Sequence, residues 1–442
     1  MLIWFDFLAA WPMMRSGFPR KKSDMNANAA KLPLEWIENP RAGRAETCRA
    51  LERLLPPGIT GIARQLHRQL DGYRMSPLKS LSGLAALLGV GGIWVKDESQ
   101  RLSLNSFKVL GGSFAIYQFL RKKLGIRDRE LTVSELKSEK VRAHLGDICF
   151  ATATDGNHGR GVAWAAKELG FRCVVYVHER TSKPRIRAIE DYGAEVQVIP
   201  GTYDDAVRAV TRDAGANGWQ IISDTSWEGY EDIPCWVMQG YTTLMAEIQE
   251  QLAGQGISQP THVFVQAGVG ALAAAVAGYY RKLFGERRPT LAIVEPDKAA
   301  CLYESIRCGD GRPHSVSGTL DTIMAGLACG DPSPLAWEVL SRCADFFLAC
   351  PDFVAAKGMR VYGVPVAGDP FIVSGESGAV TLGALMYLAE YEGLAELRRK
   401  MQLGPDSQIL LINTEGNTDP DHFRRVVWEG GVSVPQEFRR KL

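Results

Sequence analysis

From about residue 148 onward, short apolar runs alternate with amphipathic stretches, and this alternation constrains the fold more than any other feature. Such an alternation is typical of α/β folds, in which helices cover the faces of parallel sheets. The predicted strands are 148–153, 171–177, 195–199, 220–222, 262–266, 290–295 and 409–413. The predicted helices are 158–169, 185–192, 203–216 and 271–284. We therefore expect two α/β domains with parallel-strand sheets and a ligand-binding cleft between them.

Composition and charge narrow the class of protein. The chain of 442 residues has 51 Lys and Arg against 50 Asp and Glu, a formal net charge of +1. Nucleic-acid-binding domains carry an excess of basic residues, so this balance argues against a nucleic-acid partner. Nine cysteines without a Cys-x-x-Cys pair argue against a fully paired secreted framework, a zinc ribbon and a thioredoxin-like site. We expect a cytoplasmic protein without a metal site.

The first 30 residues differ from the rest of the chain. Residues 1–14 (MLIWFDFLAAWPMM) are apolar, and a basic cluster follows within 15–22. A secretory signal has its positive charges before the apolar stretch, and this stretch is too short to span a bilayer. We expect residues 1–30 to be a disordered leader, with a weak targeting or membrane-surface role as the alternative. No later segment approaches the length of a membrane span, so we expect no membrane partner.

Three polar or glycine-rich turns each follow a predicted strand. They are 151–159 (ATATDGNHG), 266–272 (QAGVGAL) and 413–419 (NTEGNTD). Ligands bind at such turns because the carboxyl ends of parallel strands meet at one edge of the sheet. The second turn suits a phosphate, since its glycines allow close approach and a helix start presents free N–H groups. It lacks the third glycine of a dinucleotide fingerprint, and by itself it is equally well read as an ordinary turn.

Lys108 lies among apolar residues at the start of a predicted helix, in the segment 105–113 (NSFKVLGGS). Most lysines are solvated surface groups. A lysine held in an apolar pocket instead has a lowered pKa, which suits Schiff-base chemistry with a carbonyl compound. Such a lysine together with a phosphate-binding turn suggests pyridoxal phosphate as the cofactor.

These motifs together resemble those of fold-type II pyridoxal-phosphate enzymes of the tryptophan synthase β-like superfamily. Within it, the chain is most similar to the diaminopropionate ammonia-lyase family. The resemblance runs from about Trp36 to the C-terminus. It rests on 105–116 (NSFKVLGGSFAI), 151–161 (ATATDGNHGRG), 224–241 (DTSWEGYEDIPCWVMQGY), 350–361 (CPDFVAAKGMRV), 374–383 (SGESGAVTLG) and 414–421 (TEGNTDPD).

The resemblance implies a role for each residue of the cofactor site. Lys108 would hold the cofactor covalently and move protons once substrate displaces it. Asn157 would hydrogen-bond the phenolic oxygen of the cofactor, and Thr414 would place a hydroxyl against its pyridine nitrogen. A hydroxyl need not keep that nitrogen protonated, which favours elimination over transamination. The phosphate would be bound by backbone N–H groups of Gly268, Val269, Gly270, Ala271 and Leu272.

Asp155 is the residue that indicates the substrate. Related dehydratases and synthases have a small neutral or hydroxyl residue here, whereas this chain has a carboxylate before Gly156 and Asn157. A carboxylate can pair with the β-ammonium group of 2,3-diaminopropionate, accept the α-proton and return a proton to ammonia. The resemblance implies that Asp224 is a second such carboxylate, on the opposite substrate face, so that both D and L isomers react. A turn cap is the alternative role for either aspartate.

The resemblance implies an ammonia-lyase that converts D- or L-2,3-diaminopropionate, or both, into pyruvate and two molecules of ammonia. A serine or threonine dehydratase of the same fold is the first alternative, against which Asp155 argues. A catalytically silent pyridoxal-phosphate-binding protein is the second, against which Lys108 and the two aspartates argue. A nicotinamide-dependent dehydrogenase is the weakest alternative, because the dinucleotide fingerprint is absent.

The resemblance also implies a homodimer. We expect a large cofactor-binding domain formed by residues 31–130 and 240–442, and a small domain formed by residues 131–239. The polar, Gly- and Gln-rich segment 246–261 is predicted to be a surface connection.

Overall fold

The computed structural model describes residues 31–43, 48–126, 129–154 and 156–439. The chain divides into two compact units, Met1–Leu32 and Pro33–Leu442, and every element below lies in the second. The leader predicted for residues 1–30 lies outside the described residues, and so does Asp155.

Eleven strands in the described part of the chain form two sheets. The strands are β1 (Glu35–Glu38), β2 (Leu78–Ser80), β3 (Gly92–Asp97), β4 (Cys149–Ala153), β5 (Arg172–His178), β6 (Glu195–Ile199), β7 (Gln220–Ile221), β8 (His262–Gln266), β9 (Thr290–Pro296), β10 (Phe346–Cys350) and β11 (Gln408–Asn413). The larger sheet has the order β1-β10-β9-β8-β11-β3-β2, and the smaller has the order β6-β5-β4-β7. All pairs are parallel except the two edge pairs of the larger sheet, β1 with β10 and β2 with β3. The predicted α/β fold is confirmed, but four strands were not predicted: β3, β10 and the two antiparallel edge strands β1 and β2.

Seventeen α-helices in the described residues connect and cover these strands. They are α1 (Arg49–Leu54), α2 (Ile59–Arg68), α3 (Ser82–Leu88), α4 (Lys108–Lys123), α5 (Val133–Lys137), α6 (Glu139–Leu145), α7 (Asn157–Leu169), α8 (Lys183–Glu190), α9 (Tyr203–Asn217), α10 (Asp232–Gly254), α11 (Ala271–Phe284), α12 (Cys301–Cys308), α13 (Pro334–Cys343), α14 (Asp352–Gly363), α15 (Glu376–Glu390), α16 (Ala395–Lys400) and α17 (Pro420–Val427). None of the helices that the structure describes is both long and apolar enough to cross a membrane.

The centre of the larger sheet is buried on both faces. Strands β8 (HVFVQ) and β11 (QILLIN) are almost wholly buried, as is expected of parallel strands that helices cover on both sides. Helix α15 is buried nearly all round and packs against both strands. This packing holds the carboxyl ends of β8 and β11 side by side, where the predicted turns 266–272 and 413–419 begin.

Most predicted boundaries agree with the structure to within two residues. The bounds predicted for β6, β8 and α11 are those observed. The surface connection predicted over 246–261 is wrong in its first half, because α10 continues to Gly254. The prediction took the polar residues of this segment as a sign of a surface loop. In the structure, Glu247, Ile248 and Leu252 are buried where α10 packs against α2, α4 and α11.

The smaller sheet is built from one continuous stretch of the chain. Its strands lie between Cys149 and Ile221, inside the predicted segment 131–239, whereas the strands of the larger sheet come from both sides of that segment. Helix α10 crosses the predicted boundary between residues 239 and 240. The two-domain division stays a prediction that this arrangement of strands favours.

Candidate active site

A cavity is lined by residues that follow β4 in the smaller sheet and β8 and β11 in the larger. It takes residues from all three predicted turns. Every predicted site residue that the structure describes lines this one cavity: Lys108, Asn157, Asp224, Gly268, Val269, Gly270, Ala271, Leu272 and Thr414. Carboxyl ends of parallel strands therefore form the site, as the sequence pattern predicts.

The backbone before Lys108 adopts conformations that side chains rarely take. Leu102, Ser103 and Asn105 have φ angles of 46°, 59° and 54°, in the left-handed region. Such angles persist only where the surrounding structure holds them, and here Leu102 and the neighbouring Arg101 are buried. Helix α4 begins at Lys108 directly after this turn, which places the lysine in the cavity wall.

Lys108 and Asp224 form a partly buried ion pair, in which Nζ of the lysine donates a hydrogen bond to Oδ2 of the aspartate. Burial alone would lower the pKa of Lys108, but the Asp224 carboxylate outweighs it and raises that pKa above its usual range. Burial alone would raise the pKa of Asp224, but the Lys108 ammonium outweighs it and lowers that pKa. The predicted lowering of the lysine pKa is therefore wrong, because a carboxylate distant in sequence contacts the amine.

His158 lies behind this pair, in the first turn of α7. Its Nε2 is 2.9 Å from the carbonyl oxygen of Ile222, which can only accept, so Nε2 carries the hydrogen. Burial lowers the pKa of His158. The neutral ring therefore turns the lone pair of Nδ1 toward Asp224, whose Oδ2 is 4.0 Å away. This geometry supports a packing role rather than proton transfer.

Asn157 is the first residue of α7, and its side chain makes a contact that the sequence did not predict. Its Nδ2 donates to Oε2 of Glu415 at 2.6 Å, while Oε1 of Glu415 accepts from the backbone N–H of Ser377 at 3.1 Å. Burial and the nearby Glu376 raise the pKa of Glu415. Among the described residues the second amide hydrogen of Asn157 has no acceptor, so it is available to a ligand. The one sequence signal for Glu415 is its place in the turn 413–419.

The glycine-rich turn fits tightly against its neighbours. A Cβ on Gly268 would lie 3.1 Å from Sγ of Cys329, and Gly270 has a φ of +101° that favours glycine. Helix α11 begins at Ala271, and its first internal hydrogen bond runs from the N–H of Ala274 to the carbonyl of Gly270. The N–H groups before Ala274 thus have no acceptor within the helix, an arrangement suited to a phosphate.

Thr414 meets Gln266, the last residue of β8, across the cavity wall. The Thr414 hydroxyl oxygen accepts a hydrogen bond from Nε2 of Gln266 at 2.7 Å. In the described part of the chain, Oε1 of Gln266 and Oγ of Ser377 are buried without a hydrogen-bond partner. An unpaired buried polar atom costs about 1–3 kcal/mol, so a ligand that supplies partners would be stabilised here.

The residues of the cavity fit pyridoxal phosphate. Lys108 provides an amine for its aldehyde, the start of α11 provides N–H groups for its phosphate, and Asn157 and Thr414 provide polar groups for its ring. The unpaired atoms of Gln266 and Ser377 are in the same wall. These amine, N–H, amide and hydroxyl groups match the aldehyde, phosphate and ring of the cofactor.

Comparison with known proteins agrees with this fit. Residues 70–415 match the family model described as pyridoxal-phosphate dependent enzyme. The diaminopropionate ammonia-lyase of Escherichia coli (strain K12) is 49% identical over 374 residues, which cover 84% of this chain and 92% of that protein. The chain belongs to the diaminopropionate ammonia-lyase family. Pyridoxal phosphate as the cofactor and the fold-type II architecture are thereby confirmed.

Solved structures of this family share the fold over nearly the whole chain. The Escherichia coli diaminopropionate ammonia-lyase in complex with D-serine has a TM-score of 0.84 at 45% identity, covering 92% of this chain and 100% of that one. The same enzyme in complex with an aminoacrylate-PLP azomethine reaction intermediate has a TM-score of 0.83, with the same identity and coverage. The family relation thus extends to both sheets and the cavity wall.

Proposed function

We propose that this chain uses pyridoxal phosphate to eliminate ammonia from 2,3-diaminopropionate and yields pyruvate and a second molecule of ammonia. The observation that carries the proposal is the contact between Lys108 and Asp224 in the wall of the cavity. The 49% identity to a diaminopropionate ammonia-lyase supports it. In net terms, one diaminopropionate and one water give one pyruvate and two ammonia, so that no oxidant or reductant is needed.

The chain's own residues would hold and orient the cofactor. Lys108 would bind its aldehyde carbon, the N–H groups of residues 268–272 its phosphate, Asn157 its phenolic oxygen and Thr414 its pyridine nitrogen. When bound, the cofactor withdraws electrons from the α-carbon of an attached amino acid. The protein then has two tasks, which are to orient the substrate and to accept and return protons.

Asp224 and Lys108 are placed to move protons. Oδ2 of Asp224 already accepts a hydrogen bond from Nζ of Lys108, so a proton can pass between these atoms without a movement of either residue. A cationic substrate that enters beside Asp224 competes with the Lys108 ammonium for the carboxylate. That competition weakens the effect that raises the pKa of Lys108, and it favours the neutral amine that the chemistry needs.

Asp155 and Asp224 are proposed as proton acceptors for opposite faces of the substrate. Asp224 lines the cavity, and Asp155 directly precedes Gly156, which also lines it. A carboxylate beside the β-carbon pairs with the β-ammonium group of diaminopropionate, a charge that serine and threonine lack. Charge complementarity is therefore the reason to prefer the diamino acid.

The test is pyruvate release by the purified, cofactor-loaded protein with D- and L-2,3-diaminopropionate, L-serine and L-threonine. We expect diaminopropionate to react about 10- to 100-fold faster, which corresponds to one charged hydrogen bond. A preference for serine or threonine would identify a dehydratase of the same fold. A protein that binds the cofactor and releases no pyruvate from any of the four would be catalytically silent.

The two-face arrangement has its own test in Asp224→Asn, which keeps the shape of the side chain and removes its charge. We expect the rate with one isomer to fall by about 10²- to 10⁴-fold, the usual contribution of a general base, and the rate with the other isomer to fall much less. An equal fall with both isomers would contradict the assignment of one carboxylate to each face.

We further propose that the chain acts in the cytoplasm as a homodimer, with residues 131–239 as its small domain. No disulfide joins any of the nine cysteines, all of which lie in the described part of the chain, and this suits a reducing compartment. The dimer rests on the resemblance to the family, and the small domain on the smaller sheet that this segment contains. Sedimentation of the cofactor-loaded protein distinguishes a dimer from a monomer.

A further inference from the structure

Gln266 is a buried residue of the cavity wall for which the sequence predicted no role. It is 2% exposed and ends β8 beside the carboxyl end of β11. Its Nε2 lies 3.0 Å from the carbonyl oxygen of Ile412 and 2.7 Å from Oγ1 of Thr414. Its Oε1 has no partner within the described residues. Nε2 is therefore the donor in both hydrogen bonds of the Gln266 side chain.

The contact with Ile412 determines the orientation of the Gln266 amide group, that is, which of its two terminal atoms is Nε2 and which is Oε1. A backbone carbonyl oxygen only accepts hydrogen bonds, so the amide atom that faces it is the nitrogen. An amide nitrogen only donates, so the Thr414 hydroxyl oxygen is the acceptor in the second bond. Turning the amide over would bring Oε1 of Gln266 against the Ile412 oxygen, and two acceptors would then face each other.

Because the Thr414 oxygen is the acceptor in its bond with Gln266, the hydroxyl hydrogen of Thr414 is available for a second hydrogen bond. The hydrogen points away from Gln266, and the part of the chain that the structure describes offers it no acceptor. Thr414 and Gln266 both line the cavity. The hydroxyl is therefore held as a donor toward whatever occupies the cavity beside it.

We propose that Gln266 is a positioning residue that makes the Thr414 hydroxyl a hydrogen-bond donor to the pyridine nitrogen of the cofactor. The inference rests on the proposed function, in which Thr414 faces that nitrogen. A nitrogen that accepts this hydrogen bond carries no proton, and the neutral ring withdraws electrons less strongly. Elimination needs less of this withdrawal than transamination does. Gln266 thus favours elimination without contact with the reacting atoms.

Gln266→Glu tests the proposal because it keeps the shape of the side chain and reverses its hydrogen bond to Thr414. The oxygen that replaces Nε2 would, in a protonated glutamate, donate to the Ile412 carbonyl and accept from Thr414, and in an ionised one it would also accept from Thr414. The Thr414 lone pairs then face the pyridine nitrogen and stabilise its protonated form. We expect ¹⁵N NMR of the protein loaded with ¹⁵N-labelled cofactor to show an unprotonated nitrogen in the wild type and a protonated one in this variant.

Gln239→Glu is the matched control. Gln239 is also buried, also donates from Nε2 to a backbone carbonyl, that of Arg53 at 3.2 Å, and also leaves Oε1 without a partner among the described residues. It lies on α10 and does not line the cavity. We expect its nitrogen signal to be that of the wild type.

Two further measurements keep the proposal open to refutation if Gln266→Glu loads poorly. Gln266→Met removes both hydrogen bonds at similar length, so that Thr414 turns freely and the nitrogen signal is intermediate. The second measurement is the pyridoxamine phosphate formed per turnover, a product of transamination. We expect it to rise about tenfold in Gln266→Glu, the effect of one hydrogen bond.

The nitrogen signal needs no substrate, so its outcome is separate from that of the proposed function. A protonated nitrogen in the wild type, or one signal shared by the wild type and both Gln266 variants, would overturn the inference while leaving diaminopropionate as the substrate. A wild type that releases no pyruvate from diaminopropionate would refute the proposed function, whatever the nitrogen signal shows.

Discussion

Two buried polar regions of the molecule contain similar side chains and differ in how fully their hydrogen bonds are satisfied. We call the first the β3 cluster; it consists of Lys96, Glu98, Arg101 and Glu247. All four side chains are fully buried, and their two positive and two negative charges balance. Nζ of Lys96 lies 2.7 Å from Oε2 of Glu247, and Nη2 of Arg101 bonds both glutamates at 2.8 Å and 2.7 Å. The charged groups of this cluster all have partners.

The cavity around Lys108 and Asp224 also contains an ion pair, which is partly buried. Its wall, however, includes Oε1 of Gln266 and Oγ of Ser377, which lack partners within the described residues. Native interiors rarely leave polar atoms unpaired, since each such atom destabilises the fold. The charged groups of the β3 cluster therefore satisfy one another within the protein, whereas these two atoms of the cavity wall are open to a ligand.

The largest expected effect comes from Lys108→Ala, which removes the amine of the cavity. We expect loss of the absorbance of covalently held cofactor and a fall in activity on the order of 10³-fold or more, because no other group replaces the nucleophile. Lys96→Met is the matched change in the β3 cluster. It should lower the free energy of unfolding by about 3–5 kcal/mol and leave the absorbance in place. Full activity of Lys108→Ala would contradict the assignment.

A second prediction concerns Glu247 and pH. Burial alone would raise the pKa of Glu247, but Arg101 and Lys96 outweigh it and lower that pKa below its ordinary value of 4.5. The stability it contributes is therefore fully present above pH 4.5 and is lost as the pH falls through the lower, folded-state pKa. We expect Glu247→Gln to lose about 3–5 kcal/mol at pH 7. Urea unfolding should show this difference shrinking below pH 4.5.

The control for Glu247 lies one turn further along α10. Glu250 pairs with Arg64, but half of its side chain is exposed. Because solvent screens exposed ion pairs, Glu250→Gln should cost less than about 1 kcal/mol. Equal losses for the two variants would show that burial does not distinguish the β3 cluster from the surface.

The same comparison explains what could be predicted of the fold. β8 was predicted with its observed bounds because it is a short, buried apolar run, and β6 (EVQVI) because its apolar residues alternate with polar ones. β3 was missed because it contains Lys96 and Asp97, which a sequence pattern places at the surface. Lys96 is buried only because Glu247, 151 residues away, neutralises it. A partner so distant has no signature in the local pattern.

The candidate site likewise has features that the sequence predicts and contacts that it does not. Lys108, Asn157 and the glycine-rich turn could be predicted, since each lies in a local motif that a strand or helix end presents. The contact of Asn157 with Glu415 spans 258 residues, and that of Gln266 with Thr414 spans 148. The ion pair that raises the pKa of Lys108 spans 116 residues. These pairings depend on segments that are distant in sequence and meet in the folded chain, so they became visible only in the structure.

The smallest expected effects concern Ser76 and Ser377, two buried serines that differ mainly in their hydrogen-bond partners. Ser76 is buried in contact with the β3 cluster, donates to Oε1 of Glu98 and accepts from Nη2 of Arg101 at 3.0 Å. Ser377 is as buried, but its Oγ has no partner among the described residues. We expect Ser76→Ala to cost about 1–3 kcal/mol in urea unfolding, because it removes two hydrogen bonds to charged groups, and to leave cofactor affinity unchanged, because Ser76 does not line the cavity.

Ser377→Ala should have the opposite effects: little change in stability and a weaker affinity for the cofactor. It removes an atom that has no partner, so the cofactor-free protein should change in stability by less than about 0.5 kcal/mol. Titration with pyridoxal phosphate should instead show affinity weakened by about 2- to 10-fold, the value of one hydrogen bond to the ligand. If Ser377→Ala destabilises the cofactor-free protein as much as Ser76→Ala does, the unpaired atoms of the cavity are not reserved for a ligand. The distinction between a self-sufficient cluster and a ligand-completed one would then fail.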